Sequence, residues 1–227
     1  AHSADICCSM YASVFECNES TKGIMDALVK STRFGYGGRA GDERVDHPVL
    51  HESVWSNRYL RGLEEYAAKH IADQGDGNHF AYVGVSKARG TTCLVTHHGS
   101  RGPGAVLYKL GMEVAEKHRR KHAPDTLKQN AWIPADTEDG EAYWEALQLI
   151  RQWTKANHNA IHQATLEAAK ADVGDRFWNE HNFVFKRGDL FYHGKGATPA
   201  WDDYASDATG LTLIPLNMSE PVLVARG

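Results

Sequence analysis

Five short segments set candidate metal ligands or phosphate-binding side chains beside glycine or another small residue. They constrain the fold more than any helix or strand preference, because the fold must bring them together. They are Asp5-Ile6-Cys7-Cys8-Ser9-Met10, Gly75-Asp76-Gly77-Asn78-His79-Phe80, His97-His98-Gly99-Ser100-Arg101-Gly102, Glu180-His181-Asn182 and His193-Gly194-Lys195-Gly196-Ala197-Thr198-Pro199. Singly each is weak, since a histidine at a strand end is more often a hydrogen-bonded structural residue than a ligand. Placement changes the reading. His79 opens an expected strand, His97 and His193 each end one, and the adjacent glycines let a phosphate or an ion approach the backbone. One thiolate, one carboxylate and several imidazoles suit a borderline divalent transition metal better than Mg²⁺ or Ca²⁺, and a thiolate can bridge two ions. Zinc-finger spacing is absent, while thirteen histidines are many for this length.

Periodicity predicts an amphipathic helix over about 52–72 from Leu60, Leu63, Ala67 and Ile71, stopped by the Gly75-Asp76-Gly77 turn. Strands follow near 79–86 and 92–97, then a helix from Gly102-Pro103-Gly104 to His122, a loop over 124–137, and a long helix over about 139–171. Asn157 lies seven residues after Ile150 on that helix, so its amide points inward and must find partners. Short strands are expected at 182–187, 189–193, 211–215 and 221–225, and the glycine-rich stretch 33–48 reads as a mobile loop. Helices and strands mix without regular alternation, which gives the α+β class.

With 227 residues, 42% of them hydrophobic and 24% charged, the chain fits one folded domain. A net charge of −4 gives no global nucleic-acid signature, so contact with nucleic acid would need a local groove. The best basic run, Lys117-His118-Arg119-Arg120-Lys121-His122, reads first as a solvated helix face. The four cysteines, Cys7, Cys8, Cys17 and Cys93, show no disulfide framework, which suits a reducing cytoplasm. No apolar run approaches a membrane span and no leader is visible, so no membrane partner is expected. The chain opens at Ala1 and ends on the apolar run Pro221 to Ala225, and it reads as a segment of a longer protein.

In this order the five segments resemble the signature motifs of the RtcB family of RNA ligases: Asp-Ile-Gly-Cys-Gly-Met, Gly-Gly-Gly-Asn-His-Phe, His-x-Gly-Ser-Arg-Gly, His-Asn and His-Arg-Lys-Gly-Ala-Thr. Trp153-Thr154-Lys155-Ala156-Asn157 is similar to the family's Tyr-Ala-x-Ala-Asn-Arg helix, and Leu213-Ile214-Pro215-Leu216-Asn217-Met218 to its Ile-Pro-Gly-Ser-Met segment. The resemblance runs from about residue 4 to the last residue, and family members continue past both ends. Residues 1–227 therefore read as a single catalytic domain, the central portion of a longer chain.

The resemblance implies RtcB-like mixed sheets with surrounding helices around a central dinuclear metal site. Two manganese ions are implied, with zinc possible in their place. Cys8 would bridge them, Asp5 and His79 completing one site and His97 and His181 the other. His193 matches the histidine that is guanylylated by GTP. Asn78, Ser100 and Arg101 would contact phosphates; Lys195, Gly196 and Ala197 would shape the nucleotide pocket, and Asn182 and Asn217 belong to the same GTP- and phosphate-binding set. The implied reaction joins RNA 3′-phosphate or 2′,3′-cyclic phosphate ends to 5′-hydroxyl ends, in tRNA splicing or RNA repair. No activating protein partner is assigned.

Several positions depart from the family pattern. Cys7 and Ser9 replace glycines, Gly194 an arginine, Tyr82 a glutamate, Asn217 a serine and His158 an arginine. Cys7 reads as a small buried hydrophobe, although a second thiol there could favour zinc. His98 takes a structural or supporting role, because neighbours on a strand point to opposite faces. His2, His47, His51, His70, His118, His122 and His162 receive no catalytic role. The changes suit a divergent paralogue and leave two alternatives open. One is a metal-dependent RNA phosphodiesterase or phosphatase without guanylylation, the other a non-catalytic RNA-binding paralogue.

Overall fold

The computed structural model describes residues 4–217 and 219–227; His2 and Met218, both named above, lie outside the described residues. In chain order the elements are β1 (Ser9–Glu16), α1 (Thr21–Ser31), β2 (Arg33–Phe34), α2 (Glu64–His70), β3 (Asp73–Gly75), β4 (Phe80–Val85), β5 (Thr92–His98), α3 (Arg101–His122), α4 (Glu138–Ala168), β6 (Asp172–Glu180), β7 (Val184–Arg187), β8 (Leu190–His193), β9 (Leu211–Pro215) and β10 (Val222–Arg226). The class is α+β, as expected.

A four-stranded sheet in the order β4-β5-β1-β6 forms the centre, with every neighbouring pair antiparallel. Alternation along its strands supplies two faces. On one, Phe15, Val83 and Leu94 pack with Ile24 and Leu28 of α1 and Ile161 and Leu166 of α4. On the other, Met10, Ala12 and Val95 pack with Leu213 of the β9–β10 hairpin. A larger cluster joins α3, α4, residues 49–60 and β6–β7 through Leu107, Leu149, Trp153, Trp178 and Phe183. Burial of this apolar surface is the main favourable term for folding.

The antiparallel order has a direct consequence. The starts of β1 and β4 and the ends of β5 and β6 all lie at one end of the sheet. His79 immediately precedes β4, His97 is the penultimate residue of β5, Cys8 immediately precedes β1 and His181 immediately follows β6.

Several local expectations are corrected. The 52–72 helix is not continuous: residues 53–56 form a short 3-10 helix and α2 begins only at Glu64. Gly62 adopts φ +82°, which breaks the helix before it, while Leu60, Ala67 and Ile71 are still buried. Apolar spacing was thus satisfied by consecutive turns as well as by a helix. The 33–48 segment is mostly irregular, with Arg33–Phe34 forming β2, which pairs in parallel with β3, and Arg39 Nε donating to the carbonyl of Glu43. The strands β1 and β6 and the helix α1 were not anticipated.

The long helix matches closely. Thr137 Oγ1 accepts from Gly140 N at 3.1 Å and starts α4. The buried Asn157 finds its partners in β3: Oδ1 accepts from Asp73 N at 3.1 Å and Nδ2 donates to Asp73 O at 3.0 Å. The basic run closes α3, with Arg119 on Glu116 and the carbonyls of Pro124 and Thr126, and Arg120 on Glu116. Among the described residues no helix is long and apolar enough to cross a membrane.

Candidate metal centre

Five side chains converge at the end of the central sheet. Cys8 Sγ lies 3.2 Å from His97 Nε2, and His97 Nε2 lies 3.2 Å from His181 Nε2. His79 Nε2 lies 3.0 Å from Asp5 Oδ2. The donor atoms of Cys8, His97 and His181 fall within 4.8 Å of one another, as do those of Asp5, Cys8 and His79. The two triads share Cys8.

Glycine makes this approach possible. A Cβ on Gly99 would stand 1.9 Å from Asp5 Oδ1, and one on Gly75 would stand 1.9 Å from Arg101 Cζ. Any larger residue at position 99 must displace the carboxylate. The backbone also ties the segments together: His181 N donates to Cys8 O at 2.9 Å and Cys7 N to Asn182 O at 3.0 Å. Cys7 itself sits at φ +56°, a left-handed conformation in which glycine is at ease.

Burial keeps the His97 and His181 imidazoles neutral. It lowers His97 below the usual histidine range and takes His181 down to about 4. Burial also raises the Cys8 thiol far above its ordinary value, with the Asp5 charge adding to the effect. For Asp5, burial pushes upward, but the hydrogen bond and charge of His79 outweigh it and the carboxyl is held low. His97 Nδ1 donates to Asn78 O at 3.2 Å, which leaves Nε2 with its lone pair aimed at Cys8 and His181. Arg101 donates to His79 Nδ1 at 2.9 Å, so His79 Nε2 carries the proton that faces Asp5.

Beneath the centre lies a buried polar layer that sequence reasoning missed. His98 is fully buried, and its ring stacks on His158 of α4 at a centroid separation of 3.4 Å. His158 bonds Ser9 Oγ at 3.0 Å and Thr96 Oγ1 at 2.7 Å; His162 bonds Thr96 Oγ1 at 2.9 Å and Ser13 Oγ at 2.8 Å. His97 and His98 do point to opposite faces. Two departures from the family pattern, Ser9 and His158, are hydrogen-bonded to each other. The available signal was the i, i+4 spacing of His158 and His162 beside Asn157, with Ser9 and Ser13 at strand-alternate positions. Glu180, fully buried just before His181, is held by Arg151, which also bonds Asp207 at 2.6 Å.

The remaining candidate residues fall as follows. Ser100 caps the N-terminal end of α3, and its Oγ, like Arg101 Nε, is buried without a hydrogen-bond partner among the described residues. Asn182 Oδ1 accepts from Gly196 N at 2.8 Å and Ala197 N donates to His181 O at 3.3 Å, so the loop after β8 folds back onto the centre. Lys195 on that loop is exposed. His193 ends β8 and lines a separate concavity whose wall contains none of the five convergent residues. Asn217 is exposed and accepts from Ser219 N at 2.8 Å, a local turn.

Comparison with known proteins identifies the family. The family described as "tRNA-splicing ligase RtcB" matches residues 16–227. The chain belongs to the RtcB family. The matched range starts after the Asp5–Met10 segment. Among curated relatives, the tRNA-splicing ligase RtcB of Pyrococcus furiosus is 23% identical over 88% of this chain and 24% of its own length. That of Thermococcus kodakarensis is 24% identical over 74% of this chain and 41% of its own. The RNA-splicing ligase RtcB of Mycobacterium tuberculosis is 32% identical over 48% of this chain and 28% of its own. The chain thus spans a quarter to two fifths of the length of these RtcB relatives.

Proposed function

We propose that this chain supplies the dinuclear metal centre of a GTP-dependent RNA ligase, with Cys8 as the shared ligand, Asp5 and His79 on one side and His97 and His181 on the other. The observation that carries the reading is that two donor triads share one thiol. A thiol, a carboxylate and neutral imidazoles suit manganese or zinc. Two divalent ions bound there would neutralise phosphate charge and act as Lewis acids toward phosphorus.

The chain's own residues fill complementary roles. Ser100 Oγ and Arg101 Nε, both buried and unpartnered at the start of a 22-residue helix, match a phosphate, which the helix N-terminus also favours. Arg101 would bind phosphate through paired N–H groups. An ion held through His79 Nε2 would require the imidazole proton on Nδ1, which would release Arg101 from its contact there and leave it available to a phosphate. Asn182, Gly196 and Ala197 hold the exposed Lys195 loop against the centre. Manganese, GTP and RNA ends bearing a 3′-phosphate or cyclic phosphate and a 5′-hydroxyl are the reactants of this reading.

The GMP acceptor in this reading is a histidine within reach of the metal pair, and His193 is the candidate within this chain. Its ring nitrogen would attack the α-phosphorus and expel pyrophosphate. Incubation with labelled GTP and Mn²⁺ tests this: covalent GMP is expected on the wild type and absent from His193→Ala. Equal labelling of both proteins moves the acceptor to another residue. Hydrolysis of an RNA cyclic phosphate with no GTP requirement and no adduct replaces ligation with phosphodiester hydrolysis.

A further inference from the structure

A cavity of about 820 Å³ opens between α3, α4 and the β7–β8 hairpin. That volume lies in the range of sites for small organic groups. Its walls are aromatic. Trp144 and Phe191 meet edge to face at 5.4 Å, and Trp132 and Phe191 are each 44% exposed, so ring faces are left open to a ligand. The chain links the cavity to the centre: His193 is on the cavity wall, and four residues later Ala197 N donates to His181 O at 3.3 Å.

The charges select the ligand. Asp136, Glu141 and Asp189 lie on the wall and would repel a phosphate, yet they can accept hydrogen bonds from the ring N–H and amino groups of a base. Lys186 Nζ stands 5.5 Å over the Phe191 ring and supplies a cation for a neighbouring backbone phosphate. Open aromatic faces beside base-accepting carboxylates are how single-stranded nucleic acid is held.

We propose that this cavity stacks a nucleobase of the RNA strand whose end is delivered to the metal centre, with Trp132, Trp144 and Phe191 as the stacking surfaces. The proposal rests on the RNA-end reading above and assigns where the strand adjoining that end lies. In this arrangement the triphosphate of GTP approaches His193 from the side of the metal centre and stays out of the cavity, where its charge would face the three carboxylates.

The test is equilibrium binding, without GTP, of a fluorescent ten-nucleotide RNA with a 3′-phosphate, compared with the same RNA lacking its terminal base. Removing the base should weaken binding to the wild type roughly 5- to 100-fold. In Trp132→Ala/Phe191→Ala, intact RNA should bind about as weakly as abasic RNA binds the wild type, and the difference between the two RNAs should collapse. Equal binding of both RNAs to the wild type, no RNA binding, or an unchanged base dependence in the variant overturns the proposal. Competition by GTP that removes the base-dependent component also overturns it, by giving the cavity to the nucleotide. Failure of ligation is read separately: base-dependent binding without a GMP adduct removes the ligase reading alone, and an adduct without base dependence removes this proposal alone.

Discussion

His97 and His181 present their Nε2 atoms to each other at 3.2 Å, with the Sγ of Cys8 3.2 Å from the first. Two imidazoles in this arrangement can share at most one proton between those nitrogens, and the Asn78 carbonyl already takes the proton of His97 Nδ1. Lone pairs are therefore gathered where a cation relieves them.

The first prediction concerns Gly99. Gly99→Ala places a methyl group where Asp5 Oδ1 now lies, so the carboxylate must leave the centre. Binding of Mn²⁺ should fall by at least roughly tenfold, the scale seen when groups that orient metal ligands are lost. Titration calorimetry with the metal reads this, and wild-type affinity in the variant would contradict it.

A second prediction follows from the buried histidines. Burial lowers His162 to about 3 and His181 to about 4, well under the value in an unfolded chain. With folded values depressed, the unfolded chain binds more protons between pH 6.5 and 3, so stability falls as the pH drops through that window. Metal-free protein should melt at a lower temperature at pH 5 than at pH 7.5, and His162→Gln should flatten part of that dependence. A flat profile over this range in the wild type would contradict the prediction.

Asn157 gives a third. Its amide supplies both hydrogen bonds to Asp73, and Asn157→Ala would leave that buried N–H and C=O unsatisfied. A loss of about 2–4 kcal/mol is expected in denaturant unfolding; a change under about 0.5 kcal/mol would show that the contact contributes little.

Cys7 provides the fourth. At φ +56° and fully buried, it carries backbone strain along with useful side-chain burial. Cys7→Gly trades one for the other and should stay within about 1 kcal/mol of wild type. Cys7→Val, with a branched Cβ in a left-handed conformation, should cost about 2 kcal/mol or more. If Val proves as stable as Gly, strain at this position is negligible.

His79 and His97 stood out in the sequence because each flanks an expected strand boundary near glycine, whereas Asp5, Cys8 and His181 were assigned through the resemblance to the family motifs; the long α4 with its inward Asn157 was legible from 3.6-residue spacing. What escaped was non-local. The pairing of β1 with both β5 and β6 is set by contacts about 80 and 170 residues away, and β1 and β6 were missed as strands. The His98–His158–His162 layer needs three elements to be stacked before its hydroxyl partners become visible. The false helix over 52–72 arose because Leu60, Ala67 and Ile71 are buried from turns as effectively as from a helix face.

The central claim is that one thiolate serves two ions. Crystals grown with Mn²⁺ and measured at an anomalous-scattering wavelength test it directly. Two peaks are expected, both at bonding distance from Cys8 Sγ, one beside Asp5 and His79 and the other beside His97 and His181. A single peak, or two peaks of which only one touches Cys8, would contradict the shared centre.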